Sequence, residues 1–227
     1  MRKTLRIRKI ACVMLLLGFV VFAPYTLQAQ EETKAVDKTL VRLAVIPFQA
    51  VISEDRSSTV RCPVCGSVNS SGSIVQGAEK IVEGLFADKL KEVKNTEMIS
   101  PERAAGVYQR VSSDDLKQPL SRIIQKAGSE LQADVLAVGF VYRYRERVGY
   151  DYSSERPASV AFEIHLISVK DGSTLWRGIY DKTQKSLMED VLQAPSFFKG
   201  GAKWVTAREL TKIGIDDVFK TFSGFEH

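Results

Sequence analysis

The chain has 227 residues, of which 44% are hydrophobic and 26% are charged, and its formal net charge is +5. The surplus positive charge lies within the first nine residues, at Arg2, Lys3, Arg6, Arg8 and Lys9, so the remainder holds 27 basic and 27 acidic residues. A neutral chain of this kind lacks the basic surface on which nucleic-acid binding depends. We therefore expect no nucleic-acid partner, and the remaining length suits one globular domain.

The N-terminus has the pattern of an export signal. Its basic residues precede a 14-residue apolar run, Ile10–Ala23, and Leu27-Gln28-Ala29 provides a cleavage site. A membrane span needs about 20 apolar residues, so residues 1–29 are predicted to be a cleaved signal peptide, with an uncleaved anchor as the alternative. Cys12 precedes the run and forms no lipobox, although membrane association stays possible. We expect a protein of the periplasm, or of the periplasmic face of the envelope, of a Gram-negative bacterium.

The order of elements in the rest of the chain predicts one α/β domain. Residues 30–39 have the composition of a polar linker, and residues 40–227 form the domain, with a cysteine-containing loop at 49–75. Two strands are predicted before the centre of the chain, at Leu40–Phe48 and Glu97–Ile99, and a helix lies between them at Gln76–Val93. Two more helices are predicted to follow, one from Ser100-Pro101 and one that begins near Asp114 and carries the apolar stripe Leu116–Leu131. Together they predict parallel strands joined by helical crossovers.

The centre of the chain predicts the core of the sheet. Val135–Val141 is almost entirely apolar and too short for a helix, so it is predicted to be a strand covered on both faces. Ser159–Val169 and Ser173–Tyr180 follow as a hairpin around Lys170-Asp171-Gly172. With Gly172 left-handed in a three-residue loop, one apolar face would comprise Phe162, Ile164, Leu166, Trp176, Gly178 and Tyr180. His165 would then lie on the opposite face near Arg177, as an ordinary strand residue.

Several segments of the chain resemble an envelope α/β family. They are the export signal, the opening Leu43–Phe48, the helix from Gln76, the strand Ala133–Gly139 and the hairpin Val169–Trp176. The family includes the N-terminal domain of TolB, the curli-secretion lipoprotein CsgG and the penicillin-binding-protein activator LpoB. The resemblance implies a single mixed β-sheet with helices packed on it, and a non-enzymatic role as binding partner, activator or pore subunit. Two departures are the missing lipidated cysteine and the basic face at Arg143, which does not suit a lipid-facing β-barrel hairpin.

The sequence Cys62-Pro63-Val64-Cys65-Gly66 carries the most specific chemical signal. Its spacing is that of one half of a zinc ribbon, in which two thiolates bind a tetrahedral metal ion. The second half is absent, so a closed site would need carboxylates or a second chain. A local disulfide between Cys62 and Cys65 is the alternative that an exported protein favours. A thiol-redox role is the third, although no helix is predicted to follow Cys65.

Two further sets of residues are candidate partner-binding sites. Tyr142–Tyr152 alternates, and it predicts Arg143, Arg145 and Arg147 on one side of an extended strand with the tyrosines on the other. That side is either a solvated strand edge or a face for an anionic partner. Phe197 and Phe198, within a loop at Pro195–Lys203 that follows a short helix predicted from Ser186, are either packed aromatics or an exposed docking patch.

The sequence predicts no enzyme. It contains no phosphate-binding glycine loop, no nucleophile elbow and no metalloprotease helix. We expect a non-catalytic exported protein that acts as a binding, assembly or accessory factor for envelope protein partners. The alternatives are a metal-binding or thiol-redox protein acting through Cys62 and Cys65, and a subunit of an oligomeric CsgG-like secretion assembly. No cofactor is expected apart from zinc, and a homo-oligomer is possible.

Overall fold

The computed structural model describes residues 40–53, 57–114, 117–151, 153–185 and 203–225. The predicted signal peptide, the linker at 30–39, the short helix predicted from Ser186, and Phe197 and Phe198 lie outside these residues. None of the helices in the described ranges is long and apolar enough to cross a bilayer.

The described residues form ten strands and four helices. The strands are β1 (Val41–Val45), β2 (Gln49–Ala50), β3 (Thr59–Arg61), β4 (Val68–Ser70), β5 (Thr96–Met98), β6 (Val135–Arg145), β7 (Val148–Tyr150), β8 (Ser153–Arg156), β9 (Ser159–Ser168) and β10 (Thr174–Thr183). The helices are α1 (Ala78–Leu90), α2 (Pro101–Asp114), α3 (Leu120–Leu131) and α4 (Ala207–Phe219).

One mixed sheet of six strands organises the fold. Its order is β10-β9-β6-β1-β5, and β2 pairs with the far part of β6. Strand β1 runs parallel to β5 and β6, because helices connect them, whereas β9 is antiparallel to both β6 and β10. The α/β class and the mixed sheet predicted from the sequence are confirmed.

Helices cover the sheet on both faces, and we name the faces after them. On the α1/α4 face the i+4 stripe Ala78, Val82, Phe86 and Leu90 of α1 is completely buried. On the α2/α3 face the apolar stripe of α3 packs on the even-numbered side chains of β6, from Leu136 to Phe140. Burying one such Leu or Phe side chain stabilises the fold by about 1.5–3 kcal/mol, so the two apolar layers fix which side chains each strand must turn inward.

The register of the β9–β10 hairpin is the predicted one. Trp176 pairs with Leu166, Gly178 with Ile164 and Tyr180 with Phe162, and Gly172 has φ 74°, in the left-handed region. A side chain at Gly178 has no room, because an ideal Cβ there would lie 2.4 Å from the Trp176 ring. The same register places His165 opposite Arg177, on the α2/α3 face, as expected.

A β-bulge in β6 contradicts the predicted alternation from Tyr142 onward. Opposite β9 the register shifts between Val141 and Arg143, so Tyr142 is an extra residue. Tyr142 and Tyr144 are consequently both buried but on opposite faces, Tyr142 in the α2/α3 layer and Tyr144 in the α1/α4 layer. The prediction that Tyr142 and Tyr144 lie on the same side of the strand was therefore wrong. The strand also ends at Arg145, and β7 and β8 form a separate two-stranded hairpin.

Two local predictions differ from the structure, one for the start of α3 and one for the segment 49–75. Asp114 ends α2 rather than starting the next helix, because α3 begins at Leu120, directly after Pro119. The segment 49–75, predicted as a loop, contains β2 and the antiparallel β3–β4 hairpin. That hairpin carries the cysteine pair in its turn.

Candidate metal centre

The β3–β4 turn holds Cys62 and Cys65 in a compact knuckle. The backbone N–H of Cys62 donates to the carbonyl of Ser67 (2.8 Å), and the N–H of Gly66 donates to the carbonyl of Cys62 (2.9 Å). Gly66 has φ 73°, a conformation that glycine adopts without strain and that closes the turn directly after Cys65. This is the local geometry in which a C-x-x-C pair offers two thiolates to one metal ion.

Strand β9 provides Glu163 and His165, two residues apart and therefore on the same face. Both are completely buried, in a strand whose opposite face carries Phe162, Ile164 and Leu166. Burying an ionised carboxylate costs free energy unless the carboxylate is paired, hydrogen-bonded or bound to a metal, so Glu163 requires such partners in the folded protein. The β3–β4 hairpin lies over this part of β9 and supplies them.

Four ligand atoms converge between the hairpin and the sheet. They belong to Cys62, Cys65, Glu163 and His165, and all lie within 4.8 Å of one another. Cys62 Sγ is 3.3 Å from His165 Nε2, Cys65 Sγ is 3.2 Å from Glu163 Oε1, and Nε2 is 3.0 Å from Oε1. Tetrahedral zinc, with Zn–S of about 2.3 Å and Zn–N of about 2.0 Å, separates its ligand atoms by about 3–4 Å. The donor set and its spacing therefore fit such an ion.

The carboxylate of Glu163 is held at both oxygens. Its Oε2 accepts hydrogen bonds from Tyr142 Oη (2.9 Å), Asn69 Nδ2 (3.0 Å) and Ser67 Oγ (3.2 Å), while Oε1 is paired with the Arg177 guanidinium. Burial by itself would raise the pKa of Glu163, but the hydrogen bonds from His165, Arg177, Tyr142 and Cys65 outweigh it and hold the pKa below its usual range. Glu163 is thus an ionised, oriented carboxylate.

In two neighbouring acids the effect of burial prevails, and the net pKa shift is upward. Burial raises the pKa of the Cys62 thiol above its usual value, and it raises that of the Tyr142 phenol, which also lies beside Cys62 and Glu163. The phenol therefore stays protonated and donates to Glu163. A bound divalent cation favours the thiolate form of a cysteine, so metal binding and Cys62 deprotonation would occur together.

The His165 ring offers one nitrogen to the cluster. Nε2 faces Cys62 and Glu163, and the ring packs edge-on against Phe140 at 6.3 Å. Nδ1 is buried and has no hydrogen-bond partner among the described residues. Nε2, which lies beside Cys62 and Glu163, is the ring nitrogen that is placed to act as a ligand.

Of the predicted site residues, the structure brings Cys62 and Cys65 together, and both carry free thiols in it. The local disulfide stays a prediction. Sequence reasoning did not include Glu163 and treated His165 as an ordinary strand residue. The available signal was a glutamate and a histidine two positions apart within an otherwise apolar strand.

The three arginines predicted to bind a partner are partly used within the chain. Arg143 donates to Ser159 Oγ (2.6 Å) and is paired with Asp181, and its side chain is 13% exposed. Arg147 is paired with Asp151 and donates to the Trp204 carbonyl (2.5 Å). Arg145 is half-buried, and its Nε has no hydrogen-bond partner among the described residues. Their role as a partner-binding face, like that of Phe197 and Phe198, stays a prediction.

The sequence matches no protein-family model and no curated protein. Solved structures with a similar chain path include the PelC dodecamer from Paraburkholderia phytofirmans, at 12% identity and a TM-score of 0.45, covering 82% of this chain and 90% of that one. They also include a lipoprotein from Neisseria meningitidis, at 14% identity and a TM-score of 0.39, covering 71% of this chain and 99% of that one. The LpoB C-terminal domain from Escherichia coli matches at 11% identity and a TM-score of 0.34, covering 65% of this chain and 85% of that one. LpoB is one of the proteins that the sequence resembles. At these identities and TM-scores the likeness says nothing about which ligand or partner this chain binds.

Proposed function

We propose that this chain is a non-catalytic, exported protein of the cell envelope whose β3–β4 hairpin is fixed to the sheet by a zinc ion. The observation that carries the metal site is the convergence of Cys62, Cys65, His165 and Glu163 within 4.8 Å. The export signal at residues 1–29 supports the location, and the lack of catalytic motifs supports a binding or assembly role with envelope protein partners.

The donor set favours zinc over other common metal ions. Two sulfurs, one imidazole nitrogen and one carboxylate oxygen in a tetrahedral arrangement are typical of Zn²⁺, whereas Ca²⁺ and Mg²⁺ take six or more oxygen ligands or waters. The charges also balance. Two thiolates, the Glu163 carboxylate and the Arg177 guanidinium together carry −2, which a divalent ion neutralises inside a buried site.

A site with four protein ligands is of the structural type, because a catalytic zinc keeps one position open for water or substrate. Here the ligands come from two parts of the chain about 100 residues apart, the 62–65 turn and β9. An ion between them would fix the hairpin on the α2/α3 face of the sheet. The protein would then present this hairpin, together with the neighbouring arginines, as a rigid surface for envelope partners.

Metal analysis of purified protein tests the site. We expect one zinc ion per chain, and on replacement by Co²⁺ we expect the thiolate charge-transfer and ligand-field absorption of a tetrahedral sulfur site. Cys62→Ser, Cys65→Ser and His165→Gln should each lose this spectrum, and Glu163→Gln should alter its ligand-field bands. The matched control is Glu83→Gln, since Glu83 is a half-buried glutamate on α1 that accepts the Phe48 N–H (2.9 Å) away from the cluster.

The thiol state separates zinc from the predicted disulfide. Mature protein without residues 1–29, and therefore without Cys12, should yield two free thiols when it is denatured without reductant in the presence of a chelator, if Cys62 and Cys65 hold zinc. A preparation with neither zinc nor free thiols would establish the disulfide and remove the metal proposal. Free thiols without bound zinc, even after zinc is added, would remove both.

A further inference from the structure

The two cysteines of the cluster differ sharply in access. Cys62 is 3% exposed and packs in the apolar layer of the α2/α3 face, with its Sγ directed at His165. Cys65 is exposed at the tip of the turn. A surface cleft of about 290 Å³ opens beside it, lined in part by Pro63, Val64 and Leu120. A reagent can therefore reach Cys65 from solvent but not Cys62.

From this asymmetry we infer that the proposed zinc centre reacts with accessible disulfides, with Cys65 as the attacking sulfur and Cys62 as the resolving one, so that oxidation releases the ion. The inference rests on the proposed zinc site and states how metal binding at that site would be regulated, namely by oxidation of its cysteines. The substrate class is a small-molecule or protein disulfide with one exposed sulfur, the oxidant that exported proteins meet.

The chemistry balances in two exchange steps. The Cys65 thiolate attacks one sulfur of R–S–S–R, the S–S bond of the oxidant breaks, a mixed disulfide forms on Cys65 and one RS⁻ leaves. The Cys62 thiolate then attacks Cys65 Sγ, the Cys62–Cys65 disulfide forms and the second RS⁻ leaves. Two electrons pass from the cysteine thiolates to the oxidant. The zinc ion keeps its charge, loses two of its four donors and is released to solvent or a chelator.

The remaining contacts explain why the oxidised chain stays folded. Glu163 keeps its hydrogen bonds from Tyr142 and Asn69 and its ion pair with Arg177, none of which needs the thiols. The two sulfur atoms lie within 4.8 Å of each other in one four-residue turn, so closing the disulfide moves the turn and not the sheet. Metal-bound and disulfide forms are thus two states of the same fold.

Oxidised glutathione provides the test on zinc-loaded protein. A chromogenic chelator should report one zinc ion released for every two thiols lost, and the intact mass should fall by two hydrogens. In the single variants, Cys62→Ser should trap glutathione on Cys65, whereas Cys65→Ser should form the mixed disulfide on Cys62 at least about tenfold more slowly because of its burial. Circular dichroism of both variants verifies that they are folded before they are compared.

The two proposals fail in different ways. If reduced protein binds no zinc, the proposed function fails before any oxidant is added. If zinc binds but stays bound at full thiol oxidation, or if glutathione is trapped equally fast at either cysteine in folded variants, the zinc site stands and the exchange inference is overturned.

Discussion

Arg177 lies directly across the β9–β10 ladder from His165, yet its guanidinium turns along the strand to the carboxylate of Glu163. This diagonal pairing makes β10 a third contributor to the cluster, besides the β3–β4 hairpin and β9. It also places a positive charge against a carboxylate that is completely buried. Together with the hydrogen bonds from His165, Tyr142 and Cys65, this cation keeps Glu163 ionised and oriented.

Removing this cation should destabilise the metal-free protein. Arg177→Gln leaves Glu163 with neutral donors only, and we expect a loss of about 1–2 kcal/mol of unfolding free energy. That figure is kept small because the Arg177 side chain is 34% exposed and solvent screens its charge. Urea denaturation in chelator measures it. The control Arg110→Gln breaks an exposed pair with Glu130 and should cost at most about 0.5 kcal/mol. Equal losses in the two variants would contradict the special role of Arg177.

Metal removal should loosen the β3–β4 hairpin and leave the sheet paired. Binding to the folded state alone adds about 2.7 kcal/mol of stability at a hundredfold excess of zinc over its dissociation constant, and a chelator removes this term. We expect a lower melting temperature and faster amide exchange at Val60 and Asn69, while Ile164 in β9 stays protected. A Cys62→Ser/Cys65→Ser double variant should show no effect of the chelator. A chelator effect of the same size in that variant would contradict a thiolate site.

Gly178 tests the packing of the β9–β10 hairpin on the α1/α4 face. A Cβ at this position would lie 2.4 Å from the Trp176 ring and 3.0 Å from Val218, so Gly178→Ala should destabilise the protein by about 1–3 kcal/mol. Gly84 lies on the exposed side of α1 with nothing within 4 Å of an added Cβ. Gly84→Ala should instead stabilise by about 0.5–1 kcal/mol. Denaturant midpoints of the two variants should therefore move in opposite directions.

Asp171 should contribute a pH-dependent term to stability. Hydrogen bonds from the Ser173 backbone N–H and from the Ser168 and Ser173 side chains lower its pKa to about 2. Because the folded-state pKa is lower than the unfolded value of about 3.9, this stabilisation is full above that value and is lost as pH falls through about 2. The melting-temperature difference between wild type and Asp171→Asn should accordingly shrink between pH 5 and pH 2. Lys170→Gln, in the same turn, should keep the wild-type pH dependence.

The sequence was sufficient for those features that depend on local periodicity. The alternation of Phe162, Ile164 and Leu166, with Gly172 able to turn left-handed, determined the hairpin register, because only one pairing buries a consistent apolar face. The apolar run from Val135 likewise predicted the central strand, and α1 follows from its buried stripe.

The site itself was only half predictable. Cys62 and Cys65 are visible as a spaced pair, but Glu163 and His165 join them only because the hairpin folds onto β9, a contact between residues about 100 positions apart. The bulge was equally hidden, because an extra residue in a strand leaves no mark in the alternation of polar and apolar residues. Tyr142 was therefore predicted on the same side of the strand as Tyr144, and its hydrogen bond to Glu163 was not foreseen.

The extra residue at Tyr142 also divides β6 into two phases. Upstream of it, even-numbered side chains enter the α2/α3 layer. Downstream, the even-numbered Tyr144 enters the opposite layer, so the correspondence between residue parity and sheet face is reversed. A chain shortened by that one residue would keep Arg143 opposite Ala161 and Tyr144 opposite Val160, so the downstream side chains would stay on their present faces. Deletion of the Tyr142 codon would consequently restore regular alternation along β6, and its main cost would be the loss of the phenol that donates to Glu163.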